Sequence, residues 1–285
     1  MASAQELVRS CSTVFTLPEI YMHVRDIVDD PASTMDDLTN ALKLDPAISA
    51  RLLHIVNSPL YGLPKQVDSI SRAVNLMGMQ SISDLVAATT IGRTFTGMTA
   101  ELIDLSAFWR KSVLCALLAG KIAKASGMND SERFFVEGLM RDIGHLVLYQ
   151  ATPKLAQSAM VEASYLGSSL AEVEQASIGC DFTEVGAELI RSWNMPAPIE
   201  QAVRHQLNPG AAGDFKLNAS IVHIAGNITD HAEVDPGTKS QWSPCDPFAL
   251  SCTRFNPGDR PALLKEAQEQ LQKTLSFIYP MALAA

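Results

Sequence analysis

The sequence predicts an all-α fold, a compact multi-helix architecture with no substantial sheet. Three observations lead there. Apolar residues recur at intervals of three and four along most of the chain, and runs of strict alternation are hard to find. Helix-start signals precede several of these runs. One stretch, around residues 113–123, is apolar on every side, as a helix buried at the centre of a bundle would be.

Taken in order, Thr16-Leu17-Pro18-Glu19 reads as a capping box opening a helix to about Asp29. Thr34 starts a short helix with Leu38, Ala41 and Leu42 on one face. Asp45-Pro46 places a cap before a proline at the first helical position, and Ile48, Leu52, Leu53, Ile55 and Val56 follow at helical spacing. Asn57-Ser58-Pro59 stops that helix, because the residue before a proline is driven out of the helical region. After the turn-rich connector LYGLPKQVDS come helices at Ile70–Met77 and Ser81–Thr94, then the central helix within Leu102–Ala125. Asn129-Asp130-Ser131-Glu132 caps a helix whose apolar face runs from Phe135 to Val147. Further helices are expected near Lys154–Ala163, Leu170–Ile178, Thr183–Trp193, Ala197–Gln206 and Leu217–Asp230. From His231 to Pro261 the periodicity fails and five of the fifteen prolines accumulate, which predicts a long loop. A last helix is expected over Pro261–Phe277.

Composition excludes several function classes. The chain has 285 residues, 47% apolar and 19% charged, a composition that argues against disorder. No run approaches the ~18 apolar residues of a membrane helix, and the first residues carry no secretory pattern. With 22 basic and 31 acidic residues the net charge is −9, which argues against broad nucleic-acid binding. Five scattered cysteines without a CxxC argue for reduced thiols and a cytoplasmic location. No P-loop, GxGxxG, HExxH or GxSxG is present.

Two sets of motifs go beyond generic helices. The first is LPEI (17–20), LTNALKLDPAISARLLHIVNSPLYG (38–62) and SISRAVNLMGMQSISDLV (69–86). The second is FWRKSVLCALLAGKIA (108–123), FFVEGLMRDIGHLVLY (134–149), IGCDFTEVGAELIRSWNMP (178–196) and IEQAVRHQLNP (199–209). Together, from about Leu17 to Pro209, they strongly resemble the HDOD domain, a bacterial relative of the metal-dependent HD phosphohydrolases usually associated with signalling. The resemblance implies an HDOD domain over 1–209, with an N-terminal helical lobe to about 100 and an HD-like lobe after it. Residues 210–285 would then form a helical extension packed on the HD-like lobe and carrying the Pro-rich loop 231–261.

In the catalytic relatives a divalent metal activates water and neutralises phosphoryl charge, held by a histidine, a His-Asp doublet and a later aspartate. Carried onto this chain, those positions fall at Lys111, at Arg141-Asp142, and at Gly226 or Asn227; a further histidine position falls at Phe182. Asp142 alone survives of the four, with His205 retained from an outer position. Lysine and arginine are donors only and cannot ligate a cation. The resemblance therefore implies a non-catalytic regulatory protein with no cofactor, binding through a degenerate pocket of Lys111, Arg141, Asp142, His145, His205, Gly226 and Asn227. Lys111 plus Arg141 minus Asp142 leaves one positive charge there, which suggests an anionic small ligand. No receiver, kinase or cyclic-dinucleotide enzyme segment is legible, so such a signalling partner is expected in trans; a homodimer is left open.

The competing reading is a phosphohydrolase with a rebuilt Mn or Mg site on Asp142, His145, His205 and His223. Plainer roles stand beside both. Arg141 follows Glu137 by four residues and could form an exposed ion pair worth ~0.3–0.5 kcal/mol. Lys111 could snorkel to solvent. His145 reads as a surface or hydrogen-bonded histidine, and His54 and His223 as packed or capped.

Overall fold

The computed structural model describes residues 1–12, 15–58, 65–95, 98, 103–128, 131–233 and 242–279, and among these every regular element is a helix. The chain begins with α1 (Ala4–Ser10), opened by a capping box in which Ser3 and Glu6 satisfy each other's backbone N–H groups. In α2 (Glu19–Asp29) the capping box expected at Thr16 does not form. Pro18, held at φ −58°, occupies the cap position itself, and the Thr16 hydroxyl instead donates to the Ser12 carbonyl at 3.1 Å.

The next two starts follow the sequence signals. Thr34 and Asp37 cap α3 (Met35–Lys43) reciprocally. The Asp45 carboxylate accepts the Ala47 and Ile48 N–H groups at 2.9 and 3.0 Å to open α4 (Pro46–Val56). Pro59 and part of the following connector lie outside the described residues. The long α5 (Ile70–Thr94) is two arms meeting at Gly78, whose φ of 80° only glycine adopts readily. The arms match the two helices expected there.

Helix α6 (Leu105–Ala125) is the axis of the molecule. Trp109, Val113, Ala116, Leu117, Leu118 and Ile122 are all fully buried on it. The caps expected at Asn129 and Asp130 lie outside the described residues. The single helix expected from there to Val147 is instead two, α7 (Ser131–Met140) and α8 (Ile143–Ala151), because Arg141 and Asp142 turn inward and Asp142 leaves helical geometry at φ −101°, ψ 7°. A hairpin of α9 (Pro153–Leu166) and α10 (Leu170–Ser177), then α11 (Phe182–Ser192) and α12 (Ala197–Arg204), complete this part.

Two chain-end helices close around the axis. Both α13 (Lys216–Glu233) and α15 (Arg260–Ile278) pack against α6, and α7 packs there too. Between them the expectation of a loop over 231–261 needs correction. Residues 234–241 lie outside the described residues, but α14 (Pro247–Thr253) forms in that stretch, with Asp246 as cap and Pro247 at its first position. Cys245, Ala249 and Phe255 are buried against the core. One apolar cluster runs from Leu7 to Tyr279, so the core is shared by both halves of the chain.

Asp84 is a charged group buried on α5, the helix that packs against α2 and α7. It is 5% exposed and accepts one bond from Gln80 Nε2 at 3.0 Å. Burial pushes its carboxyl up to about 6 despite the Gln80 bond and the neighbouring Arg133 and Arg25. A raised acid favours folding while protonated, so this contribution is lost as pH rises from about 4 to about 6. Asp84→Asn is expected to add roughly 1–2 kcal/mol of stability at pH 8 and almost none at pH 4. Thermal melts at the two pH values check this; an equal effect at both would remove the electrostatic account.

Candidate functional site

Four elements deliver charged or polar side chains to one place beside α6. Lys111 comes from α6 itself, Arg141 and Asp142 from the break between α7 and α8, Gln206 from just beyond α12, and Asp230 from α13. The Arg141 guanidinium is the hub. Its Nη1 and Nη2 donate to the two oxygens of Asp230 at 3.0 and 2.7 Å, a two-pronged pairing. Nη1 also reaches Asp142 Oδ2 at 3.4 Å, and Nε donates to Gln206 Oε1 at 3.0 Å. Gln206 returns the bond through Nε2 to the Arg141 carbonyl at 2.8 Å. Lys111 Nζ lies 3.0 Å from Asp142 Oδ2 and 3.0 Å from Asp230 Oδ1.

The inner part of this cluster is sealed and the outer part is wet. Arg141, Asp142 and Gln206 are buried, whereas the side chains of Lys111 and Asp230 are 32% and 48% exposed. Burial alone would hold Asp142 in its protonated form, but Arg141 and Lys111 outweigh it and keep the carboxyl far below the usual range. Asp230 is lowered for the same reasons, against the like charge of Asp142. Burial opposes the charge on Lys111 and on Arg141, and the carboxylates overcome it, so both are held more firmly protonated than usual. The neighbouring Cys115 thiol is pushed up to about 12 by burial and stays neutral.

Gly226 gives the guanidinium its room. A Cβ there would lie 2.5 Å from Arg141 Nε and 2.7 Å from its Cζ. Gly226, where the family's later aspartate would fall, lets the arginine pass, and Asp230, one helical turn later on the same helix, receives its end. Asn227 instead donates to the Pro244 carbonyl at 3.4 Å, tying α13 to the segment ahead of α14. The expected pairing of Arg141 with Glu137 also needs correction. The intervening break turns Arg141 away, and Glu137 is fully buried, bonded by Asn218 at 2.6 Å and 3.8 Å from Arg133. Lys111 does not snorkel outward; its ammonium turns to the two carboxylates.

His145, His205 and His223 make no hydrogen bond to the guanidinium or to its two carboxylates, and His223 meets the cluster through the Gln206 backbone. His145 stacks on Phe182 at 4.1 Å and on Tyr149 at 5.7 Å, with Nδ1 3.2 Å from Glu174 Oε1. His205 is the C-cap of α12 and makes no bond within the cluster; its neighbour Gln206 does. In His223, Nδ1 donates to the Gln206 carbonyl at 2.8 Å and Nε2 accepts the Asp246 N–H at 3.1 Å, because a carbonyl can only accept and an N–H can only donate. Gln206 and Asp230 escaped the sequence reading. The signal that could have found Asp230 is its place one turn beyond a glycine on the same helix face.

These residues do not fit a divalent cation. Lys111 Nζ occupies the gap between the Asp142 and Asp230 oxygens, and it and Arg141 have no lone pair to offer. Among the described residues no three His, Cys, Asp or Glu side chains converge as ligands would. With Asp230 included, two cations face two carboxylates and the formal charge is zero, so the surplus that suggested an anionic ligand at this place is gone.

Arg141→Met strands the buried Asp142 with Lys111 alone and is expected to cost about 3–5 kcal/mol at pH 7. Arg141→Lys should not restore it, since an ammonium cannot reproduce the two-pronged bond. Because a lowered acid stabilises the fold above its unfolded value near ~4 and loses that contribution on further acidification, the deficit should shrink below about pH 4. Urea titrations at both pH values read this out; a deficit independent of pH would show that packing, not charge, is lost.

Comparison with known proteins agrees with this architecture. A family model described as the HDOD domain matches residues 14–209. A crystal structure from Shewanella amazonensis, named provisionally as a phosphohydrolase, superposes with a TM-score of 0.69 at 23% identity, covering 95% of this chain and 96% of that one. Another, from Marinobacter aquaeolei and named provisionally as a signal transduction protein, gives 0.66 at 19% identity, covering 94% of this chain and 60% of that one. Identities this low show a shared fold. An uncharacterized protein of Treponema pallidum is 26% identical over 220 residues, which are 75% of this chain and 41% of that protein, so the chain spans about two fifths of that relative's length. No described helix is long and apolar enough to cross a membrane. The motifs, the helical architecture and the matched span together make the chain a member of the HDOD domain family.

Proposed function

We propose that the protein is a non-catalytic regulator of the cytoplasm that acts by binding a signalling partner or a small ligand. The observation that carries this reading is the bridge from Lys111 Nζ to both Asp142 and Asp230 at 3.0 Å. In the enzymes this family resembles, the corresponding positions hold a metal that lowers the pKa of water. Here a side-chain ammonium and a guanidinium supply the positive charge instead. Charge is neutralised, but no coordination site and no activated water follow, so the chemistry of hydrolysis lacks its nucleophile. The cluster becomes a fixed brace joining α6, α8, α12 and α13.

Regulation by a partner in trans, of the receiver, kinase or cyclic-dinucleotide enzyme class, suits a rigid helical scaffold whose surface is the part left to vary. A protein that binds without turnover needs a stable shape, and the brace provides one. The provisional signalling name of the Marinobacter neighbour is in keeping with this.

The test is metal analysis of the purified chain, followed by phosphodiesterase and nucleotidase assays with Mn²⁺ and Mg²⁺. No stoichiometric metal and no turnover are expected. Stoichiometric metal with turnover abolished in Asp142→Asn would overturn the reading in favour of a hydrolase with a rebuilt site. As a positive control for the logic, Lys111→His combined with Arg141→His should gain divalent-metal affinity, measurable as a metal-dependent rise in Tm.

A further inference from the structure

A well-defined recess lies away from the charge cluster. It is a cleft of about 740 Å³ between the last turn of α4, the segment 65–68 and α15, walled by Leu53, His54, Asn57, Lys65, Asp68 and Lys273 among others. That volume falls in the range of sites for small organic ligands, roughly 300–1,000 Å³. We propose that this cleft binds a phosphorylated small molecule of nucleotide size, and that it is the ligand site of the binding function proposed above, on which this inference rests.

Charge is the first support. The chain as a whole carries −9, yet the lining holds two lysines against one carboxylate. Asp68 is turned in part toward Arg72, whose Nη1 is 3.9 Å away, so even that carboxylate has a cation beside it. A local positive surplus on an acidic protein concentrates anions where the rest of the surface repels them. Lys65 and Lys273 come from opposite ends of the chain, so a dianionic phosphate between them would be met from two walls.

The cleft is also built before any ligand arrives. Asn57 fixes its floor: Nδ2 donates to the Leu53 and Val67 carbonyls, both at 2.7 Å, and Oδ1 accepts the Val67 N–H at 2.7 Å. These bonds staple the segment at 67 to the end of α4. Beside them, half-buried Leu53 offers an apolar surface for a flat organic group, and burial together with Lys273 lowers the pKa of His54, which places a neutral ring on the wall at pH 7. Because α15 packs on both α4 and α6, a ligand held here touches the helix that braces the core.

The experiment is calorimetric titration of the full chain with ATP, GMP and pyrophosphate in the presence of EDTA, with His54 ring resonances followed by NMR. The expected result is saturable nucleotide binding that moves the His54 signals, weakens with salt, and falls about tenfold or more in Lys65→Glu and in Lys273→Glu. Lys65 and Lys273 are exposed, so both variants should keep the wild-type Tm; Lys65→Gln and Lys273→Gln give the milder loss expected of charge removal. Lys43→Glu, an exposed lysine elsewhere, should leave binding unchanged. The cleft is overturned by absence of saturable binding at millimolar nucleotide, by binding insensitive to both reversals, or by pyrophosphate binding as tightly as the nucleotides. Hydrolysis of a probe after Mn²⁺ is added would overturn the non-catalytic reading alone; loss of binding would overturn the cleft alone.

Discussion

A guanidinium buried away from water must be surrounded by acceptors, and much of this molecule is arranged to surround Arg141. Leaving such a charge unpaired costs several kcal/mol, so the chain cannot place it inside and then satisfy it partially. Each of its three nitrogens has a partner here: two oxygens of Asp230, one of Asp142, and the Gln206 amide oxygen. The consequences spread outward. Helix α7 must stop at Met140 so that the doublet can turn in, α12 must end where Gln206 can close its two bonds, and α13 must carry glycine where the guanidinium crosses it. Four helices are thereby fixed in register by one side chain.

The sequence carried most of the helices and the family's motifs, and it failed where tertiary contacts decided the local geometry. Thr34 and Asp45-Pro46 were legible because their caps are satisfied within four residues. Thr16 was misleading for a complementary reason: the same motif was present, but Pro18 took the cap position. The break at Arg141-Asp142 has no local signal, since both residues suit a helix and only the distant Asp230, Gln206 and Lys111 draw them inward. The site was legible on the strand of reasoning that followed residue type, namely that Lys111 and Arg141 are donors only. What residue type did not reach is Asp230, whose role is set by the distant Arg141 that it receives. Asp230 stands one turn beyond Gly226 on the same helix face, so the glycine marks the side of α13 that the arginine crosses.

On the proposed reading side-chain cations stand where a metal would, and that changes what the site can respond to. A bound ion can be lost, exchanged or competed for, and its ligands titrate when it leaves. Arg141 and Lys111 are covalently part of the chain, and arginine keeps its proton throughout the biological pH range. The inner half of the cluster is therefore permanent under conditions in which a metal site would be conditional. What water and solutes reach is the outer edge, the half-exposed Lys111–Asp230 pair, and an exposed pair of this kind adds little stability of its own. A loop of charge that is rigid inside and cheap to perturb at its rim holds its helices whether or not the rim is engaged. Surfaces whose charges are not already spent on one another suit a ligand better, and the cleft beneath α4 offers two such cations, Lys65 and Lys273.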